Sequence, residues 1–462
     1  MKNTFGTSVS VTIFGESHGD MIGAVVDGLA PGIEVDEEFI AAQLTKRRPQ
    51  SKIDTPRQEK DNFKIVSGVF EGRTTGTPIT ILIPNENTKS KDYEYGPARP
   101  SHADLSAHCK YHGYEDFRGG GHFSGRITAA LVAAGALVQP ALDNLGIGIG
   151  THILECGGVR DLSFEDLCDE EVTNALFENL QMDDNRFDIV DDDESDNILS
   201  INNGPFTDNA ENGDGFDADD DFDSDEFDVE FDDEFDDDDF ANGWGSGLEY
   251  EDAVMYGIEL LEDRKFPVLD PDVEDCMTEA ILEARSNKDS IGGITETAIT
   301  GLPVGLGEPW FDSMEGLISH AIFSIGGIKG IEFGAGFECA YMNGSEFNDP
   351  LRIERGRIMS TSNNNGGING GITNGMPVIF SCAVRPTPSI AKKQETVDFV
   401  TGQETDIEIK GRHDPAIIRR ICPVIDAVTA LVIADMLASR FGTDILALDP
   451  ENFGFGPDDM DF

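Results

Sequence analysis

Basic residues are scarce in this chain. Its 462 residues include 33 lysines and arginines against 89 aspartates and glutamates, giving a net charge of −56. Such an acidic surface repels nucleic acid and anionic membranes, and we expect neither as a partner. A phosphate or carboxylate ligand would need a pocket in which arginine and lysine are concentrated.

Paired cysteines and a leader segment are also missing. The seven cysteines are scattered without a CxxC pair, which fits reduced thiols better than disulfides or a structural zinc site. No charged-then-apolar leader opens the chain, and we expect no apolar run of the roughly 18 residues that a membrane span needs. These features predict a cytoplasmic protein.

Acidic residues are concentrated in one block. Residues 183–240 hold 27 of them and one basic residue, a net charge of −26 that leaves −30 for the rest of the chain. A stretch of this composition predicts disorder, with a segment that folds on a basic partner as the alternative. We predict a catalytic domain in two parts, 1–182 and 248–448, separated by an acidic insertion at 183–247 and followed by an acidic tail at 449–462.

Outside this block, short strands and a few helices are predicted, an α+β composition. β-Branched residues between glycine and proline indicate strands at Val9–Phe14, Ile79–Ile83, Val378–Val384 and Ile407–Ile409. Alanine-rich apolar stretches of helical length indicate helices at Ile127–Leu142 and Val424–Phe441.

Three histidine-bearing segments point to chemistry. They are FGESHG at 14–19, RPSHAD at 99–104 and KGRHDP at 410–415. Each sets a possible proton-transfer group beside glycine, proline or a charged residue. A nearby arginine can hold an anion through two hydrogen bonds. These segments therefore predict an enzyme that acts on an anionic substrate.

Two further segments could bind an anion or a polar cofactor. KRRPQSK at 46–52, followed by Arg57, is a cationic cluster in an acidic chain. The glycine-rich RGGGHFSGR at 118–126 precedes a predicted helix, whose N-terminus could receive a phosphate or the polar edge of a flavin. A tight structural turn is the alternative for the second segment.

Taken in order, these motifs resemble those of chorismate synthase. FGESHG, KRRP, RPSHAD, RGGGHFSGR, GLPVGLGEP at 301–309, RPTPSI at 385–390 and KGRHDP follow the family's order, over about residues 5–182 and 248–442. The resemblance implies a β-α-β sandwich that assembles as a homotetramer. It also implies conversion of 5-enolpyruvylshikimate 3-phosphate to chorismate, the step that closes the shikimate pathway to the aromatic amino acids, with reduced FMN as cofactor. Some members of the family reduce FMN with NADPH, whereas others depend on a separate flavin reductase.

The resemblance also implies roles for individual residues. His18 would protonate the leaving phosphate, His102 would act on the protonation of the reduced flavin, and Asp414 would assist proton removal. The residues implied to clamp the anionic groups of the substrate are Arg48, Lys52, Arg57 and Arg126. Those implied to contact the flavin are His122, Phe123, Ser124, Gly326, Gly327, Gly370, Arg385, Pro386, Thr387, Pro388, Ser389 and Arg412.

The sequence departs from the family pattern at three places. Ser101 stands where the family usually has glycine, Arg385 where it has lysine, and the segment after Pro49 is shortened. Two other functions stay open at this point. A metal-dependent phosphate-ester hydrolase could use His18, His102 and Asp414, although close His-xxx-His spacing is missing. A noncatalytic acidic interaction protein would explain the block at 183–240 but not the histidine motifs.

Overall fold

The computed structural model describes residues 2–55, 59–88, 93–169, 172, 173, 176, 250–262, 264–354, 357–409 and 414–448. Met1–Val172 and Leu248–Phe462 together form one compact unit, and Thr173–Gly247 form a second. The acidic block, the acidic tail, Arg57 and Arg412 lie outside the described residues. The predicted domain boundaries stay predictions.

Two five-stranded antiparallel sheets dominate the described part of the fold. The first has the order β1 (Thr4–Phe5), β2 (Ser10–Gly15), β3 (Met21–Asp27), β8 (Ile79–Pro84), β5 (Lys64–Ser67). The second has the order β10 (Val159–Arg160), β9 (Ile149–Cys156), β11 (Gly293–Ile299), β17 (Val378–Val384), β12 (Ile328–Phe333). The small sheets comprise β4 (Pro31–Glu34), β7 (Arg73–Thr75), β6 (Val69–Phe70), and the pairs β13 (Leu351–Glu354) with β14 (Arg357–Ser360), β15 (Ile368–Asn369) with β16 (Ile372–Thr373), and β18 (Gln394–Asp398) with β19 (Gln403–Ile407).

The described α-helices connect and separate these sheets. They are α1 (Glu37–Arg47), α2 (Asp104–Tyr111), α3 (Thr128–Gly135), α4 (Gln139–Asp143), α5 (Tyr250–Glu262), α6 (Asp272–Ser286), α7 (Met314–Ile322), α8 (Gly344–Phe347) and α9 (Ile418–Phe441). Helix α3 packs on β3 and β8 of the first sheet, while α9 packs on α3 and on β9 and β11 of the second. The helices thus form a layer between the sheets, which confirms the predicted β-α-β sandwich.

Local sequence explains these elements. In β8, Ile79, Ile81 and Ile83 are buried and alternate with more exposed residues, as expected for a strand with one face on the core. Helix α1 begins at Asp36, whose carboxylate accepts a hydrogen bond from the Phe39 amide at 2.8 Å. It ends just before Pro49, as helices commonly do before proline.

Helix α9 is the centre of the core and is buried along most of its length. Where it crosses α3, a Cβ atom at Gly135 would overlap the backbone of Ala427, so glycine permits the close approach of the two helices. The carboxylate of Asp435 accepts hydrogen bonds from the backbone amides of Thr7, Ser8 and Val9 at 3.0, 2.6 and 2.9 Å. Helix α9 therefore anchors the segment that leads into β2.

Several sequence predictions need correction. The predicted helix at 127–142 is interrupted at residues 136–138, between α3 and α4. The predicted strand at Ile407–Ile409 is wrong beyond its first residue, because β19 ends at Ile407. Contrary to expectation, the segments Gly125–Asp143 and Ile418–Phe441 are long and apolar enough to cross a membrane by length and composition. However, 83% and 94% of their most apolar windows are buried within the fold, as in core helices.

Candidate active site

The glycine-rich segment forms the floor of the candidate site. Gly119, Gly120 and Gly121 have φ angles of 62°, 83° and 54° within a short 3₁₀ segment. Three successive left-handed residues are readily adopted only by glycine. A Cβ atom at Gly119 would lie 2.6 Å from the His18 ring, and one at Gly120 would lie 3.4 Å from the His102 ring. Adjacent glycines thus bring the two predicted catalytic histidines together.

His18 sits in the turn between β2 and β3 and is 8% exposed. The preceding amide of Ser17 donates to the Gly121 carbonyl at 3.0 Å. His122 Nδ1 donates to the Gly15 carbonyl at 2.8 Å. Tyr93 contacts the His18 ring edge to face, with ring centroids 5.3 Å apart. These contacts fix the turn that carries His18 against the glycine-rich segment.

His102 lies in the turn before α2, where two charged side chains meet its Nδ1 atom. Asp104 Oδ1 is 2.7 Å away and Arg99 Nη2 is 3.0 Å away. Although burial alone would raise the pKa of Asp104, hydrogen bonds from Arg99 and His102 outweigh it and hold this pKa well below its usual range. The carboxylate beside His102 therefore stays ionised at neutral pH.

A cavity of about 510 Å³ opens beside His102, a size typical of small-molecule sites. Aromatic side chains form much of its wall, namely Tyr93, Tyr95, Phe117, Phe123 and Phe399. Gly120 and Ser389 also line it. Such walls fit a planar ring system such as a flavin. Carboxylates of Glu94, Glu115, Asp406 and Glu408 line the same cavity, which makes it unsuited to a phosphate group unless further cations contribute.

Asp61, Arg47 and Arg126 form a buried cluster of charged side chains. Asp61, whose side chain is fully buried, pairs with Arg47 at 2.8 Å and with Arg126. Burial lowers the pKa of Arg47 to about 10, and Asp61 only partly offsets this. For Asp61 burial acts to raise the pKa, but Arg47 and Arg126 lower it below its ordinary value. The cluster remains charged at neutral pH.

The four predicted substrate-binding cations are in different surroundings. Arg126 is buried, and its guanidinium also donates to Asn85 Oδ1 at 2.9 Å and to the Pro84 carbonyl at 3.1 Å. Arg48 donates to the Lys60 carbonyl at 2.7 Å and to Thr45 Oγ1 at 2.6 Å. Lys52 is exposed. Arg57 lies outside the described residues, so the four are not shown as one clamp.

Asp414, the third predicted catalytic residue, lies just before α9. Its carboxylate accepts a hydrogen bond from the Thr55 amide at 2.6 Å and pairs with Arg420. Its carbonyl accepts from Thr387 Oγ1 at 2.6 Å. The described contacts thus connect Asp414 to a predicted flavin-binding segment, but they do not connect it to His18 or His102. Its catalytic role stays a prediction.

The predicted flavin contacts do not all lie in one place. Phe123 and Ser389 line the cavity. The Arg385 amide donates to the Gly327 carbonyl at 3.0 Å, so the segments around Gly326 and Arg385–Ser389 meet beside this cavity.

The other predicted flavin contacts lie in other surroundings. Gly370 lies in the β15–β16 turn, where a Cβ atom at the next residue, Gly371, would meet Glu308 and Ser313. Ser124 Oγ accepts from the Arg126 amide at 3.3 Å and so serves as a cap. Pro386 and Pro388 lie in the same segment as Ser389, and Arg412 is outside the described residues.

Sequence reasoning missed several site residues. Arg99 and Asp104 stand within RPSHAD and were identifiable from their closeness to His102. Tyr93 and Asp61 carried no local signal, because their partners lie far away in sequence. Among the described residues, no group of three or more histidine, cysteine, aspartate or glutamate side chains is placed to hold a metal ion.

Fold and site together define an α+β protein in which two histidines pack on adjacent glycines, one of them at the wall of an aromatic-lined cavity. The profile of the family described as chorismate synthase matches residues 9–438. The chain is 38% identical to chorismate synthase from Methanosarcina acetivorans over 447 residues, covering 95% of this chain and 97% of that protein. It is 37% identical to chorismate synthase from Korarchaeum cryptofilum, with 93% and 96% covered. A crystal structure of chorismate synthase superposes with a TM-score of 0.59 at 24% identity, covering 95% of this chain and 94% of that one.

This chain belongs to the chorismate synthase family. It is a carbon–oxygen lyase that eliminates phosphate from 5-enolpyruvylshikimate 3-phosphate to give chorismate.

Proposed function

We propose that His18 and His102 carry the proton transfers of this elimination from the two neighbouring positions at Gly119 and Gly120. The observation that carries the proposal is the packing of both rings on adjacent glycines, with His102 and Gly120 at the cavity wall. Imidazole gives and takes protons near neutral pH. His18 would protonate the departing phosphate, and His102 would manage the proton on the cofactor side.

Reduced FMN is the proposed cofactor, in keeping with the family's use of reduced flavin. The aromatic walls and the small residues Gly120 and Ser389 support a planar ring in this cavity. When bound, reduced FMN supplies an electron-rich ring beside the substrate and shows no net redox change over a turnover. Phe123, which is 43% exposed, would cover the ring, and His102 would hold or move a proton at Nε2.

The substrate carries a phosphate and two carboxylates, so its site must offset the acidic field of the chain. We propose that Arg48, Lys52, Arg57 and Arg126 supply this positive charge. A guanidinium has five N–H donors. Arg126 gives three of its five and Arg48 two to the protein contacts described above, which supports a further role for the rest.

We further propose a cytoplasmic homotetramer. Large apolar side chains are exposed on the β13–β14 hairpin, where Leu351, Ile353 and Ile358 are 72%, 80% and 69% accessible. Trp310 and Phe311 are likewise exposed. Apolar surfaces of this kind often mark interfaces.

The source of reduced FMN has two alternatives. A separate flavin reductase and intrinsic reduction by NADPH are both compatible with the fold, and NADPH oxidation by the purified protein with FMN distinguishes them.

Anaerobic turnover with chemically reduced FMN tests the proposed cofactor. We expect phosphate release and chorismate formation in equal amounts with reduced FMN, and neither with oxidised FMN. Equal activity with oxidised FMN, or no activity with either form in folded protein, contradicts the proposal.

A further inference from the structure

The Nδ1 atom of His102 faces a donor and an acceptor that hold each other in place. Arg99 donates two hydrogen bonds to the Asp104 carboxylate, from Nε to Oδ2 at 2.8 Å and from Nη2 to Oδ1 at 2.7 Å. The Arg99 amide also donates to Asp104 Oδ2 at 3.0 Å. His102 Nδ1 lies at the junction of this pair, within hydrogen-bonding distance of both side chains.

This junction suits both protonation states of the ring. In a neutral imidazole one nitrogen accepts and the other donates, whereas an imidazolium donates from both. Asp104 can accept from Nδ1–H of the neutral ring, which leaves the lone pair on Nε2, and it can still accept from Nδ1–H once Nε2 has gained a proton. Arg99 holds the Asp104 carboxylate in the position that this hydrogen bond requires. The ring therefore has a partner at Nδ1 before and after it gains a proton at Nε2, without turning over.

The opposite side of the ring faces the site. Cε1 and Nε2 of His102 lie against Gly120, where a Cβ atom would be 3.4 Å away, and both residues line the aromatic-walled cavity. With Nδ1 occupied by Arg99 and Asp104, Nε2 is the nitrogen that can exchange a proton with a bound molecule.

We propose that Asp104 and Arg99 are positioning residues that fix the orientation of His102 and confine its proton exchange to Nε2. This inference rests on the proposed role of His102 in proton transfer. It concerns the protein's own side chains, and so it can be tested on the enzyme before any ligand is added.

Other charged residues also lie near His102, and a test of this proposal must separate their effect from that of Arg99 and Asp104. Arg385 reaches the neighbouring Ser101 carbonyl from the segment after β17. Charged residues that line the same cavity from other segments are Glu94, Glu115, Asp116, Asp406 and Glu408. Arg118 donates to the Asp116 carboxylate from Nε to Oδ1 at 2.8 Å and from Nη2 to Oδ2 at 2.7 Å, in the same way as Arg99 donates to Asp104.

Diethylpyrocarbonate modifies neutral imidazole, so its reaction with His102 can be followed against pH by peptide mass spectrometry on the full-length protein. In Asp104→Asn we expect the midpoint of this pH profile to move to lower pH, because a neighbouring carboxylate favours the imidazolium. In Arg99→Gln we expect a shift to higher pH, because a neighbouring cation disfavours it. The midpoint in Asp104→Glu should lie close to that of the wild-type enzyme.

Asp116→Asn is the matched control, because it removes the same charge from the same cavity without a contact to His102. We expect it to move the His102 midpoint much less than Asp104→Asn does. Turnover by Asp104→Asn should fall roughly 10- to 100-fold, the range seen for carboxylates that orient metal-binding histidines, with little change in KM.

Unchanged midpoints, shifts of the same sign in Asp104→Asn and Arg99→Gln, or an equal shift in Asp116→Asn overturn the inference. Should Asp104→Asn not fold, Arg99→Gln and Asp104→Glu still give readable profiles. If His102→Ala keeps full turnover, the proposed proton transfer fails while the midpoint test of the Arg99–Asp104 pair remains valid.

Discussion

Arg385 Nη1 donates a hydrogen bond to the backbone carbonyl of Ser101 at 2.6 Å. Ser101 directly precedes His102 and has a φ of 59°, a left-handed conformation that favours glycine. Both positions were predicted from the sequence to depart from the family's usual residues. Since they contact each other, the arginine supports the turn that carries a candidate catalytic histidine.

We predict that Arg385→Ala lowers kcat by about 10-fold. Loss of one charge-assisted hydrogen bond costs roughly 1.5 kcal/mol, and here the cost falls on the position of His102. Steady-state kinetics measures the effect. Arg385→Lys keeps a donor and should retain most of the activity, so an equal loss in both variants would mean that the arginine acts in another way.

Alanine at either histidine tests their chemical role. We expect His18→Ala and His102→Ala each to lower turnover by on the order of 10²-fold or more, because general acid/base groups typically contribute that much. Circular dichroism should show an unchanged fold. His112 is exposed and serves as the control, since His112→Ala should behave like the unmodified enzyme. Near-normal rates in both site variants would assign the histidines a structural role.

Substrate affinity tests the cations. If Arg48 binds an anionic group of the substrate, Arg48→Ala should weaken binding by roughly 1.5 to 3 kcal/mol. Arg57→Ala should behave similarly. Arg73→Ala is a suitable control, because the Arg73 side chain is exposed and contacts Glu34 at 3.4 Å and the Gly32 carbonyl at 2.8 Å. Unchanged affinity in the Arg48 and Arg57 variants would defeat the assignment.

Asp61 should matter for stability more than any surface acid. Asp61→Asn leaves Arg47 and Arg126 buried without their shared carboxylate, and breaking a buried ion pair in this way typically costs about 3 to 5 kcal/mol. Urea unfolding measures the change. Asp289→Asn, in an exposed pair with Lys392, should cost no more than about 1 kcal/mol. Similar losses in the two variants would argue against a central role for Asp61.

The core histidine predicts a pH dependence of stability. His152 is fully buried between Asp161 at 3.2 Å and Glu296 at 3.0 Å. Burial acts to lower its pKa, but hydrogen bonds to the two carboxylates outweigh it and raise the pKa to about 9. Because the folded-state value exceeds the ordinary value near 6.5, the stabilisation is complete below about pH 6.5 and is lost as pH rises through 9.

Denaturant unfolding between pH 6 and 10 measures this loss, which should be on the order of 3 kcal/mol. His152→Gln should be less stable at pH 6 and should show a flatter pH profile. His320→Gln, at an exposed position, provides the control. A profile that is equally steep in His152→Gln would exclude His152 as the source.

Much of the fold was predictable because short-range patterns determine it. The alternation in β8 and the long apolar run of α9 both appear in the sequence, and β17 has its predicted bounds. The break between α3 and α4 was missed, although Pro140 lacks an amide donor and disfavours a continuous helix there. Local propensity and apolar content alone could not place this boundary.

The site was predictable where its residues stand close together in sequence. His18, His102 and the glycines were identified from their motifs, and the structure brings them together. The role of Asp61 was not accessible, because it depends on Arg47 and Arg126 meeting from separate segments. Such pairings are set by tertiary packing and leave no periodic signal in the sequence.

The hydrogen bonds from Thr7, Ser8 and Val9 to Asp435 have a consequence for synthesis. The first strands of the sandwich are synthesised well before Asp435, which stands 428 residues after Thr7, and before helix α9, which fills the space between the sheets. Contacts of such long sequence separation slow folding and leave apolar strands exposed in the meantime. The nascent chain should therefore remain incompletely folded on the ribosome until α9 has emerged from the exit tunnel.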